Sequence, residues 1–147
     1  MNRDSVRKRP FEILIVEDNP ADVRLVREAL TESGFNTQLT VVNDGATAFE
    51  EIRKAGRSHH RPDLILMDLH IDQTSGLDVL AETKQDAGVG SIPIVMFSTS
   101  GEPEDIAASY REHANAYVQK PMDLDDFLNA VSQIESFWIA TVLLPEE

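Results

Sequence analysis

Along the chain, short unbroken apolar runs alternate with stretches in which apolar residues recur every three or four positions, the signature of strands followed by helices. Ile13 to Val16 is the first run. Asn19, Pro20, Ala21 and Asp22 then offer a cap, a proline at the first helical position and a carboxylate in the first turn, and Val23, Val26 and Leu30 keep helical spacing up to Gly34. Leu39 to Val42 predicts a second strand. Asp44 caps a helix carrying Ala48, Phe49 and Ile52, which ends near Gly56 before the polar loop Arg57 to Arg61. Leu64 to Met67 predicts the third strand, and Gly76 opens a helix with Leu77 and Leu80 inward, broken by Gly88 to Ser91. Ile94 to Phe97 predicts the fourth strand. Ile106 is the only large aliphatic residue between Glu102 and Glu112, so the helix there has a thin apolar face. Ala116 to Val118 predicts a short fifth strand, and Asp123 caps a last helix with Leu124, Phe127, Leu128, Val131 and Ile134 inward.

Strands that are apolar throughout are buried on both faces, and helices between them require parallel pairing through right-handed crossovers. The fold predicted is a doubly wound α/β sheet, in which ligands sit beyond the carboxyl ends of the strands. Glu17 and Asp18 follow the first strand, Asp68 the third, Ser98 and Thr99 the fourth, and Lys120 the fifth. Three carboxylates drawn together raise one another's pKa unless a cation joins them, and an all-oxygen set suits Mg²⁺. A lysine and a serine beside them suit the oxygens of a phosphoryl group resting on a carboxylate, and Asp68, leaving a central strand, is the best-placed nucleophile.

Composition narrows this further. The chain has 147 residues, 13 of them basic and 26 acidic, a formal charge of −13. Four of the basic residues (Arg3, Arg7, Lys8, Arg9) lie in the first ten positions, read as a disordered basic tail over 1–10, so the rest is more acidic still and repels DNA. With no cysteine there is neither a disulfide nor a thiolate metal site, and His59, His60 and His113 lack ligand spacing for zinc. No apolar stretch approaches the roughly 20 residues of a membrane span, so a soluble cytoplasmic protein is expected. After Ser136 the chain stays apolar. Continuing the last helix in phase brings Trp138 and Val142 onto the sheet-facing stripe and leaves Phe137, Ile139, Leu143 and Leu144 elsewhere. The segment 137–147 is therefore read as an extension that buries its excess in a homodimer, with folding back on its own domain as the alternative.

The acidic pair Glu17-Asp18, Asp68 followed by Gly76, Ser98, Tyr117 and Lys120-Pro121 resemble, in type and spacing, the receiver domain of two-component response regulators, from Phe11 to about Ile134. The run from Val16 to Val23 and the ending from Phe137 to Pro145 are similar to single-domain regulators paired with bacterial phytochrome kinases. The resemblance implies a (βα)5 flavodoxin-like sandwich, sheet order 2-1-3-4-5, with the receiver spanning 11–136. It implies that Asp68 takes a phosphoryl group from a sensor histidine kinase, such as a bacteriophytochrome, with Mg²⁺ held by Asp18, Asp68 and the backbone carbonyl of His70, and Glu17 acting through a metal-bound water. Ser98 would bind one phosphoryl oxygen, Lys120 another, and Tyr117 would follow by changing rotamer; the Lys120-Pro121 peptide would be cis. Output would be protein contact or relay to another histidine, making the chain a phosphoacceptor rather than an enzyme. Three positions depart from the family: Asp72 stands where proline is usual, His70 where a polar or small residue is, and Thr99 beside Ser98 where alanine or glycine is common. Two other functions stay open, a Mg²⁺-dependent phosphatase with an aspartyl nucleophile and a receiver-like module that never takes phosphate.

Overall fold

The structure, a computed structural model, describes residues 9–145. The first strand, β1 (Phe11–Val16), is buried at all six positions. It is followed by α1 (Pro20–Glu32), β2 (Thr37–Val42), a 3₁₀ turn (Gly45–Thr47), α2 (Ala48–Gly56) and β3 (Leu64–Met67). A short hairpin, β4 (His70–Ile71) and β5 (Thr74–Ser75), precedes α3 (Gly76–Gln85). The chain then runs through β6 (Ile94–Ser98), α4 (Pro103–Arg111), β7 (Ala116–Gln119) and α5 (Leu124–Ser136). The main sheet is parallel, in the order β2-β1-β3-β6-β7, which is the expected 2-1-3-4-5 once the hairpin strands are set aside. The hairpin forms an antiparallel sheet of its own and is an element the hydrophobic pattern did not predict, because each of its strands is only two residues long.

Alternation along the strands sends side chains to two cores. Leu14, Val16, Ile65, Met67, Ile94 and Met96 meet Ile52 of α2 and Leu80 of α3. Ile13, Ile15, Leu66, Val95 and Phe97 meet Val26 and Leu30 of α1 and Phe127 and Val131 of α5 on the opposite face. The caps read from sequence are in place: Asn19 accepts the N–H groups of Ala21 and Asp22, and Asp123 accepts that of Asp126. Asp44 caps the 3₁₀ turn that leads into α2. Leu124, expected inward, is the first residue of α5 and 55% exposed. α4 has the expected thin face, since Ser109 is its only buried residue.

At two places glycine is needed for close approach. A Cβ on Gly45 would meet the Ile71 carbonyl and Thr74, and one on Gly76 would collide with the carbonyl oxygen of Asp68. The first contact sets the 3₁₀ turn against the hairpin, and the second sets the start of α3 against the end of β3. Gly34, read as a helix stop, has φ +83°, the left-handed region that favours glycine.

The end of the chain differs from the in-phase reading. Phe137–Thr141 form a π-helical turn in which the Val142 N–H donates to the Phe137 carbonyl at 3.1 Å. The wider turn moves the inward position by one residue, so Ile139 is buried at 2% exposure while Trp138 is only partly covered. Leu144 also packs against the core of the α1 and α5 face, so part of the tail lies on its own domain. Of the expected basic tail, residues 1–8 lie outside the described residues; Arg9 pairs with Asp63 at 3.1 Å. Among the described residues no helix is long and apolar enough to cross a membrane.

Candidate functional site

Parallel strands whose carboxyl ends lie together bring Glu17, Asp68, Ser98 and Lys120 to one end of the sheet. Lys120 lies just past β7, where its N–H still donates to the Ser98 carbonyl at 2.7 Å. Its side chain is 3% exposed, and the ammonium donates to Glu17 Oε1 at 2.5 Å, Asp22 Oδ2 at 2.8 Å and Asp68 Oδ2 at 2.9 Å. Burial opposes the charge on Lys120, yet the hydrogen bonds it donates to Asp22, Asp68 and Glu17 outweigh that and hold the ammonium above the usual lysine range. The peptide between Lys120 and Pro121 is trans, like all others among the described residues, against the cis bond the resemblance implies. With this trans bond the ammonium already reaches Glu17, Asp22 and Asp68, so aiming it does not require the cis form.

Glu17 is almost fully buried, and burial pushes its carboxyl up to about 7, with the charge of Asp68 adding to the rise and Lys120 opposing it. Its second oxygen accepts the Asn19 N–H at 3.1 Å. Asp68 Oδ1 accepts the Leu69 N–H at 2.7 Å, which orients the carboxylate. Asp18 is exposed, and its Oδ2 accepts the N–H of Asp72 at 2.7 Å. His70 begins the hairpin two residues beyond Asp68, with its side chain exposed.

Ser98 is buried at 1% exposure and its hydroxyl accepts the Ser100 N–H at 3.3 Å. Two further bonds tie the loop after β6 to β7. Tyr117 donates its hydroxyl to the Ser100 carbonyl at 2.8 Å, and Gln119 donates its amide to the Thr99 carbonyl at 3.1 Å. The Tyr117 N–H in turn donates to the Tyr110 hydroxyl of α4 at 3.1 Å. Ser98 and Tyr117 thus share one short loop, and Tyr117 joins it to α4.

Among the described residues no three carboxylates or imidazoles form a ready-made metal cage. Lys120 stands between Glu17 and Asp68 as their counter-ion, and Asp18 is turned toward Asp72. The donor set nevertheless fits a hard divalent cation in kind, since Glu17, Asp18 and Asp68 offer carboxylate oxygens at the same end of the sheet. Asp22 is the residue that sequence reasoning passed over, treating it as a helix-start carboxylate. Its place in the first turn of α1, four residues after Asp18, was the available signal; its contact with Lys120, 98 residues away, was not visible.

Comparison with known proteins places these features in context. Residues 13–132 match the family described as "Response regulator receiver domain". The chain is 42% identical over 138 residues to the response regulator Rcp1 of Synechocystis sp., covering 92% of this chain and 94% of that protein. The crystal structure of the phosphorylated cyanobacterial phytochrome response regulator RcpA superposes with a TM-score of 0.86 at 41% identity, covering 93% of this chain and 99% of that one. The Mn²⁺-bound form of Rcp1 gives 0.84 at 40% identity, covering 93% and 100%.

Proposed function

The chain belongs to the response regulator receiver domain family, and on that premise we propose that Asp68 accepts a phosphoryl group from a phosphohistidine of a sensor histidine kinase. The observation that carries this reading is the Lys120 ammonium held against Asp68, Glu17 and Asp22 at one end of the sheet. An Asp68 oxygen forms the new P–O bond as the P–N bond breaks. The electron pair stays on the ring nitrogen, and a ring protonated at its other nitrogen leaves as neutral imidazole. Lys120 is the group that neutralises a phosphoryl oxygen, and Ser98 the one that donates to another. Positioning and charge neutralisation supply most of the rate in such a transfer, so no separate base is required.

Mg²⁺ is the cation proposed, held by Asp18, Asp68 and the His70 backbone carbonyl, with Glu17 contributing through water. When bound it would neutralise charge on the transferring group. A Mn²⁺-bound form of the relative Rcp1 is consistent with a divalent site in this family. When Ser98 turns from Ser100 toward a phosphoryl oxygen it alters the loop that Tyr117 also grips, and Tyr117 shifts in response, carrying the change to α4 and β7. Output is then by protein contact or by relay to another histidine, in the cytoplasm and without DNA. The kinase is of the phytochrome type, in line with the relatives' description as phytochrome response regulators.

The same reading includes a homodimer through α5 and the extension 137–147. Its support is an apolar groove of about 580 Å³ lined by Ala116, Val118, Ile134, Phe137, Trp138 and Val142, beside a half-exposed Phe137 and a largely exposed Leu143.

Incubation with acetyl phosphate and Mg²⁺, read by intact mass, tests the central claim. A single phosphoryl adduct is expected on the full chain, mapping to Asp68, and none on Asp68→Asn, a nearly isosteric change. An adduct of equal yield on that variant refutes the assignment. General turnover of phosphate esters indicates the phosphatase instead, and no adduct on the full chain indicates a phosphate-independent module.

A further inference from the structure

An ammonium has three protons, and all three protons of Lys120 are matched by carboxylates, those of Glu17, Asp22 and Asp68. A phosphoryl oxygen can be bound only if one of these contacts is given up. The three are not equivalent. The proton on Asp68 Oδ2 points at the oxygen beside which a phosphoryl group on Asp68 would grow. Glu17 belongs to the acidic pair that would face a cation. Asp22 has neither task. It stands on the first turn of α1, where Asn19 accepts its N–H and that of Ala21, so its backbone is locked by a cap, and its side chain is 20% exposed against 3% for Glu17.

We propose that Asp22 is a positioning residue for phosphoryl transfer, the carboxylate that keeps hold of the Lys120 ammonium while Glu17 turns to the cation and the Asp68 contact passes to the phosphoryl oxygen. Without it a four-carbon side chain whose only other holds are leaving must find the phosphoryl oxygen unaided. The charge-assisted bond from Asp22 keeps the ammonium within reach throughout, and that pre-set geometry is where an entropic advantage arises. Asp22 also offsets the ammonium electrostatically, so the charge Lys120 presents to the site is less than a full unit. The inference rests on the phosphoacceptor reading above and deepens it.

The test uses the full chain, Asp22→Asn and Asp22→Glu. In the metal-free protein, ¹⁵N NMR reads the Lys120 ammonium, whose buried, hydrogen-bonded protons exchange slowly enough to be seen. Asp22→Asn is expected to shift or broaden that signal and Asp22→Glu to retain it. With acetyl phosphate saturating and Mg²⁺ at a concentration that saturates the parent, Asp22→Asn is expected to slow formation of the Asp68 adduct on the order of tenfold, with Asp22→Glu restoring most of the rate. The proposal is overturned by an unchanged ammonium signal, by equal rates in Asp22→Asn and the parent, by a deficit that more Mg²⁺ cures, or by Asp22→Glu being as slow as Asp22→Asn. If the parent itself takes up no phosphoryl group the receiver reading fails, while the NMR comparison still decides whether Asp22 holds Lys120.

Discussion

Asp72 adopts φ +58°, and its N–H reaches the Asp18 carboxylate at 2.7 Å. Proline, usual at this place in receivers, can do neither, since its ring holds φ near −65° and it has no N–H. The departure noted in the sequence is therefore a different turn, with a hold on Asp18 of its own. Asp72→Pro is expected to destabilise the protein by about 2 kcal/mol or more, measured by urea denaturation, because both backbone conformation and hydrogen bond are lost. Asp72→Gly keeps the bond and relieves the positive φ, and is expected to be neutral or to stabilise by about 0.5 kcal/mol. A well-tolerated Asp72→Pro would contradict this account of the loop. Gly76 shows the same kind of constraint from the other side: its fixed spacing from Asp68 reflects a place where any Cβ would strike the Asp68 carbonyl.

Two elements differ sharply in how they are anchored. The π turn of Phe137–Thr141 buries Ile139, which contributes to the core with α1 and α5. Ile139→Ala is expected to cost about 2–5 kcal/mol of unfolding free energy, the range for deleting a buried aliphatic side chain. Cutting the chain after Ser136 would remove this residue too, so truncation confounds loss of core with loss of association. By contrast α4 buries only Ser109, and it is held to β7 by the Tyr117 N–H donating to Tyr110 and to the loop before it by Ser100 donating to Asp105. Its amides are expected to exchange hydrogen well before those of α1 and α5, since local opening exposes little apolar surface. Equal protection across the three helices would refute that, and with it the idea that α4 is easily displaced by a change at Tyr117.

At the level of the molecule, an acidic chain of net charge −13 brings two copies together only where apolar surface outweighs repulsion. The groove beside Phe137 is the apolar surface assigned to that role in the proposed dimer. Phe137→Glu and Leu143→Glu replace a half-exposed and a largely exposed side chain, so they are expected to leave the monomer folded by circular dichroism while converting a dimer to a monomer in sedimentation. Salt should strengthen the parent dimer by screening like charges. A parent chain that sediments as a monomer at micromolar concentration, in low and high salt and with or without phosphorylation, rules the dimer out.

The alternation of apolar runs and helical periods determined the sheet, its five principal strands and the two-sided core, because burial on both faces leaves the three central strands, β1, β3 and β6, almost no polar positions. Capping residues marked where α1 and α5 begin, since their side chains act on neighbouring N–H groups and need no distant partner. Glu17, Asp18, Asp68, Ser98 and Lys120 were legible as strand-end residues for the same reason: position after a strand is a local property. What the sequence could not determine depends on contacts between distant segments. The hairpin His70–Ser75 rests on the close approach of Gly45 and Gly76, and the π turn on the burial of Ile139 in the core with α1 and α5. Asp22 is the plainest case. In sequence it is one more carboxylate at a helix start; only the parallel packing of β1 and β7 around the same end of the sheet brings it, from 98 residues away, to the ammonium of Lys120.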